Sequence, residues 1–145
     1  MKFQAHTEDE LAREGLLDEG QYPFTIKASA EKQDKKQRGF FALKLFVHGP
    51  NERDWHVFDN VSPEWMAFKL RHLAFAIGLG GRYESGELTA EELVGRQGHC
   101  VIGVQDAKGG YPAKNVVLDY VVPQPLTAAS QAAKNAPEEP DDVPF

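Results

Sequence analysis

The sequence predicts a mainly β domain closed into a small five-stranded barrel, and three observations carry that reading. Five stretches alternate apolar and polar residues with the period of a half-buried strand. One helical stretch interrupts them, after the third. Beyond Pro123 the composition changes to Ala, Gln, Ser, Asn and Pro, with no large apolar residue between Leu126 and Val143.

Thr7 and Glu10 have capping-box spacing and Gly15 can stop a turn, so a short helix is expected over residues 7–15. The first strand is expected over residues 22–30, with Tyr22, Phe24, Ile26, Ala28 and Ala30 facing inward. Pro23 suits an edge or the start of a strand. Residues 31–39 form a polar connection carrying Lys32, Lys35, Lys36 and Arg38. The second strand spans residues 40–48. Its odd positions, Phe41, Leu43, Leu45 and Val47, form a complete core face. Gly49-Pro50-Asn51 signals a turn, and residues 54–60 form the third strand.

Ser62 as N-cap, Pro63 at the first helical position and Glu64 at the positive end predict a helix. Its inward stripe is expected to hold Trp65, Phe68, His72, Leu73 and Ala76, and Gly78, Gly80 and Gly81 end it. Thr89 and Glu92 make a second capping box before a short helical turn. Strands four and five are expected over residues 97–105 and 114–122, joined by a long hairpin tip. Three strands, a helix and two strands is the order of an OB fold. A β-sandwich would need more strands, and a parallel α/β sheet a helix after nearly every strand. Three segments follow: an acidic lead-in over residues 1–20, an OB-fold domain over 21–124, and a disordered linker with an acidic tail over 125–145.

A hydrophobic content of 41% suits one small core in a 145-residue chain. No apolar run approaches the ~20 residues of a membrane span. The acidic start does not resemble a secretory signal. The single cysteine, Cys100, cannot form an internal disulfide, so a reducing cytoplasm is expected. The net charge of −6 is unevenly spread. Residues 1–20 hold −4 and residues 127–145 hold −3, which leaves the middle at +1 with local basic clusters. That distribution permits a nucleic-acid-binding body.

The even face of the second strand carries Phe40, Lys44, Phe46 and His48. Exposed rings interleaved with a cation suit single-stranded nucleic acid, because bases stack on rings and Lys or Arg neutralises phosphate. In an OB fold this surface is flanked by the loops after strands one and four. Those loops carry Lys32, Lys35, Lys36 and Arg38, and Lys108 and Tyr111. Arg53 and Trp55 lie on the neighbouring strand, beside His56. If Val57 is the core residue of that strand, Trp55 is buried with it. If Phe58 is, Trp55 faces the nucleic acid, and this second reading places Trp55 in the expected site. Trp65 is expected in the core.

The chain ends Pro137-Glu138-Glu139-Pro140-Asp141-Asp142-Val143-Pro144-Phe145. Phe145 could enter an apolar pocket while its carboxylate meets a cation at the rim and the upstream acids steer toward a basic surface. Asp141, Asp142, Val143, Pro144 and Phe145 resemble the ending of the bacterial single-stranded DNA-binding protein family, an acidic run followed by an aliphatic residue, Pro and Phe. That resemblance implies docking onto replication, recombination or repair proteins. The body is different. Residues 22–32, Val57-Phe58-Asp59-Asn60, Glu92-Leu93-Val94-Gly95-Arg96 and the last strand resemble small bacteriophage proteins encoded among replication genes. Together the two resemblances imply a phage or prophage protein acting in a bacterial host cytoplasm.

His48, His56, His72, His99 and Cys100 show no metal-ligand spacing, so no metal or cofactor is expected. Gly78-Leu79-Gly80-Gly81 follows a helix rather than opening one, unlike a phosphate loop. No enzyme is expected. The competing readings are a protein–protein adaptor without nucleic-acid binding and, more remotely, a Mg²⁺-dependent nuclease. Edge strands would permit a homodimer.

Overall fold

A computed structural model describes residues 1–123. The tail residues Asp141, Asp142, Val143, Pro144 and Phe145 lie outside them.

The elements run α1 (Glu8–Ala12), β1 (Gly20–Gln33), β2 (Gly39–His48), β3 (Asp54–Val61), α2 (Ala67–Ala76), α3 (Gly80–Glu84), α4 (Ala90–Leu93), β4 (Gln97–Gln105) and β5 (Lys114–Tyr120). The strands form one antiparallel sheet in the order β3-β2-β1-β4-β5. Both expected capping boxes form. Glu10 N–H donates to Thr7 Oγ1 at 3.1 Å while Thr7 N–H donates to Glu10 Oε1 at 2.9 Å, and Thr89 and Glu92 do the same ahead of α4.

β2 alternates as expected. Phe41, Leu43, Leu45 and Val47 are all buried, and its even residues are half-buried on the other face. In β1 the alternation holds only through Ile26. A bulge at Lys27 pairs Ile26 with Leu45 but Ala28 with Lys44. One extra residue reverses every side chain beyond it. Ala28 and Ala30 are therefore exposed rather than inward, and Ser29 stands opposite Leu43.

The helix also departs from expectation. Ser62 is buried, but its Oγ accepts from Glu64 N–H at 3.2 Å and donates to the Gly39 carbonyl at 2.8 Å, capping a turn. The α-helix starts only at Ala67. Its buried residues are Leu70, Leu73, Ala74 and Ala76, continued by Ile77 at its C-cap, so Leu73 and Ala76 face inward as expected. Phe68 is left 81% exposed and Trp65 44% exposed, so neither is a core residue. Arg38 stacks over the Trp65 ring at 5.4 Å.

The expected barrel does not close through the backbone. β3 and β5 are the two edges of the sheet, and no ladder joins them among the described residues. Side chains bridge them instead. Lys69 Nζ, from α2, donates to Asp59 Oδ1 on β3 at 3.0 Å and to the Val117 carbonyl on β5 at 2.7 Å. Tyr120 OH, on β5, donates to Asp59 Oδ2 at 2.7 Å. A side chain between two edges holds them wider than the ~4.8 Å that a ladder requires.

The N-terminal segment joins the same edges at their other ends. Trp55 Nε1 donates to the Gly15 carbonyl at 2.8 Å. Leu17 N–H donates to Asn115 Oδ1 at 2.9 Å, and Asn115 Nδ2 returns a bond to the Leu17 carbonyl at 3.0 Å. Leu17 is 3% exposed, so residues 15–17 belong to the folded body and not to a free lead-in. The core beneath is continuous and includes Phe24, Ile26, Leu45, Val57, Leu73, Leu93 and Ile102. The Phe24 and Tyr120 rings meet edge-on at 5.4 Å within it. Burial pushes the Cys100 thiol up to about 12, with the Asp59 charge adding to it, so the thiol stays protonated and unreactive.

Burial raises the Asp59 carboxyl above its ordinary value, against the opposing pull of Lys69 and the Tyr120 hydrogen bond. A carboxyl raised on folding makes the fold less stable as pH rises through that window. Lys69→Met removes the opposing charge and raises the carboxyl further. The variant should lose about 3 kcal/mol at neutral pH. Its deficit against wild type should shrink as pH falls toward about 4, where carboxyls begin to protonate. Urea denaturation at both pH values reads this, and a deficit independent of pH would contradict a buried charged pair.

Candidate nucleic-acid interface

Because the odd residues of β2 are sealed, its even residues share the outer face with their cross-strand partners. Phe46 lies between Thr25 on β1 and His56 on β3, and Lys44 between Ala28 and Phe58. Phe40 pairs with Lys32. The Phe46 and His56 rings stack with centroids 4.6 Å apart at 23°. Lys27, next to inward-facing Ile26, points outward and holds its Nζ 5.7 Å from the Phe46 ring. Phe58 is 70% exposed beside Lys44. The outer face of β1–β2–β3 is thus a row of rings with cations among them.

His48 ends the row. Its Nδ1 lies 2.7 Å from Asp54 Oδ1 and its Nε2 2.8 Å from Thr25 Oγ1. In the neutral imidazole, Nδ1–H donates to the carboxylate and the Thr25 hydroxyl donates to Nε2. Both ring nitrogens are engaged across three strands, so His48 braces the face and has no ring nitrogen free for phosphate.

The basic residues of the β1–β2 turn divide. Asp34 organises the turn by accepting from the backbone N–H groups of Lys36 at 2.8 Å and Arg38 at 2.9 Å. Arg38 Nε also donates to it, at 2.8 Å. The Arg38 backbone bond, with the Arg38 side chain and the Lys36 N–H adding to it, holds the Asp34 carboxyl below its usual range. Arg38 is therefore committed to Asp34 and Trp65. Lys32, Lys35 and Lys36 are exposed. Lys108 and Tyr111 face each other across Gly109-Gly110, whose φ values of +55° and +86° suit a two-residue hairpin turn that only glycine adopts easily. Tyr111 is 78% exposed. By the strand register, the β4–β5 hairpin and the β1–β2 turn lie at opposite ends of the sheet.

Trp55 corrects the reading that placed it on this face. It pairs with Val47, shares the inner side with buried Val57, and packs against the core under residues 15–17. Arg53 covers its ring at 4.5 Å. The structure adds Lys27, His56 and Phe58 to the expected residues. The β3 pair could have been found by aligning Val57 with the core face of β2. Lys27 could have been found from the alternation that puts Phe24 and Ile26 inward, whereas nothing local marks the bulge that turns Ala28 outward.

No helix among the described residues is long and apolar enough to cross a membrane. Among the described residues no three carboxylate, imidazole or thiol groups converge on a possible metal position. The chain matches no family model, and a search of curated proteins finds no relative for it.

Gly49 sits against Trp55. A Cβ there would lie 2.3 Å from Trp55 Cζ3 and 2.7 Å from Leu17 Cδ2. Gly49→Ala should push the indole out from under the N-terminal segment. The expected outcome is a red-shifted tryptophan emission and a stability loss of about 1–3 kcal/mol by thermal denaturation. Unchanged emission would contradict this packing.

Proposed function

We propose that this protein binds single-stranded DNA without sequence preference, through the outer face of β1–β2–β3. It recruits replication or recombination proteins through its acidic C-terminal tip. The observation that carries the reading is the ring-and-cation row. The stacked Phe46–His56 pair and exposed Phe58 offer flat apolar surface, and Lys27 and Lys44 stand within reach of the phosphates. Every base has a π-face, so stacking of this kind tolerates sequence, and the lysines track the backbone. We read the architecture as an OB-type barrel. The strand order supports this, as do the helix between β3 and β4 and the bridging of the two sheet edges by Lys69, Asp59 and Tyr120. The tail reading rests on residues 141–145 alone.

The test is a fluorescence titration with oligo-dT at several salt concentrations, with duplex as control. Each phosphate contact contributes roughly −0.7 to the slope of log K against log salt for a single strand. Lys27, Lys32, Lys35, Lys36 and Lys44 together would give a slope of about −3.5 on that basis. Phe46→Ala and Phe58→Ala should each weaken binding about tenfold, from a stacking contribution of ~1–3 kcal/mol per base. Phe68→Ala removes a still more exposed ring outside the face and should leave binding unchanged. Equal effects at all three positions would defeat the stacking assignment. A chain that ignores oligo-dT at low salt but still captures partners is an adaptor instead.

A further inference from the structure

Past Ile26, whose backbone still bonds Gly95 and Arg96, β1 leaves β4 and runs on in the sheet paired with β2 alone. Beside this stretch an open groove of about 580 Å³ lies between the base of the β1–β2 hairpin and the connection from α3 to α4. Phe40, Phe41, Pro63 and Leu88 give it apolar walls, and Lys32 stands at its rim. It adjoins a second hollow of about 290 Å³ that shares Phe41, Pro63 and Leu88. Both volumes are of the order of small-ligand sites, roughly 300–1,000 Å³.

Two features identify the occupant. Phe40 belongs both to the groove and to the even face of β2, so the groove continues the ring row. The charge around its mouth is complementary to phosphate: Lys32 lines it, and exposed Lys35 and Lys36 sit on the adjoining turn. Glu31, the acid of the lining, is turned to α4, where its Oε2 accepts from Ala90 N–H at 3.3 Å. An apolar cleft with Lys32 in its lining and Lys35 and Lys36 on the adjoining turn, at the end of an aromatic strip, fits a planar base whose phosphate stays outside.

We propose that this groove takes one terminal nucleobase of the bound strand, so that the DNA path along β2 ends there in a pocket and not on an open surface. The proposal rests on the single-stranded DNA reading of the outer face. It makes one end of a short bound oligonucleotide distinct from its other positions.

The test uses the full chain and short oligo-dT carrying 2-aminopurine or an abasic residue at the 5′ end, the middle or the 3′ end. With wild-type protein, an abasic residue at one end should weaken binding about fivefold more than one at the other end. 2-Aminopurine at that same end should change its emission most. Leu88→Trp, which fills the groove, should abolish both end effects while leaving the effect of Phe46→Ala intact. Equivalent ends in wild type, or an end effect that survives Leu88→Trp, overturns the groove assignment alone. An extended peptide as the natural occupant would give that result. No binding of any oligonucleotide overturns the outer-face reading as well. The abasic comparison is made on wild-type protein and stands even if Leu88→Trp fails to fold.

Discussion

One constraint governs the molecule: a strand has two faces, and β2 has no choice about which one is buried. Phe41, Leu43, Leu45 and Val47 each gain about 1.5–3 kcal/mol on leaving water. Slipping the strand by one residue would forfeit all of them at once and bury Lys44 and His48 instead. Register is therefore set by the core, and the outward set of Phe40, Lys44, Phe46 and His48 follows from it. β3 inherits the same logic. Val57 pairs with Leu45, so His56 and Phe58 must stand beside Phe46 and Lys44. The candidate interface is the complement of the core, written in the same strands.

The outer face is left free because the two edges of the sheet are bridged by other groups. The sheet curves until β3 and β5 come side by side, but side chains join them. Lys69, Asp59 and Tyr120 bridge one end, and Trp55, Asn115 and residues 15–17 bridge the other. Apart from the exposed Trp55–Gly15 bond, these bonds are half-buried and specific, and removing one partner leaves another polar group with less access to water. Bridging by side chains also brings α2 and the N-terminal segment into holding the two sheet edges. The rings and lysines of the outer face take no part in it.

Much of this was legible in the sequence where the signal is local. The two capping boxes, the strand order, the division of β2 into faces and the aromatic–cation character of its even side all follow from spacing. Of the candidate site, Phe40, Lys44 and Phe46 stand as spacing placed them, and His48 is there but with its ring nitrogens already occupied. The failures have a common form. Trp55 could be assigned to a face only by knowing that Val57 meets Leu45. Phe68 and Leu70 both fit a helical stripe, and contact with the sheet chose Leu70. Arg38 looked like a free cation until Asp34 and Trp65 were beside it.

By itself, then, the amino-acid order determined which segments are strands, where the two capping boxes form, and that one face of β2 must be apolar. These depend on periods of a few residues and on hydrogen bonds between near neighbours. Only the tertiary structure decided where β1 bulges, which way Ala28 and Ala30 point, how β3 and β5 are joined, and that Leu17 belongs to the core. Each of those outcomes compares contacts between residues far apart in the chain, and such energies exist only once the sheet has brought them together.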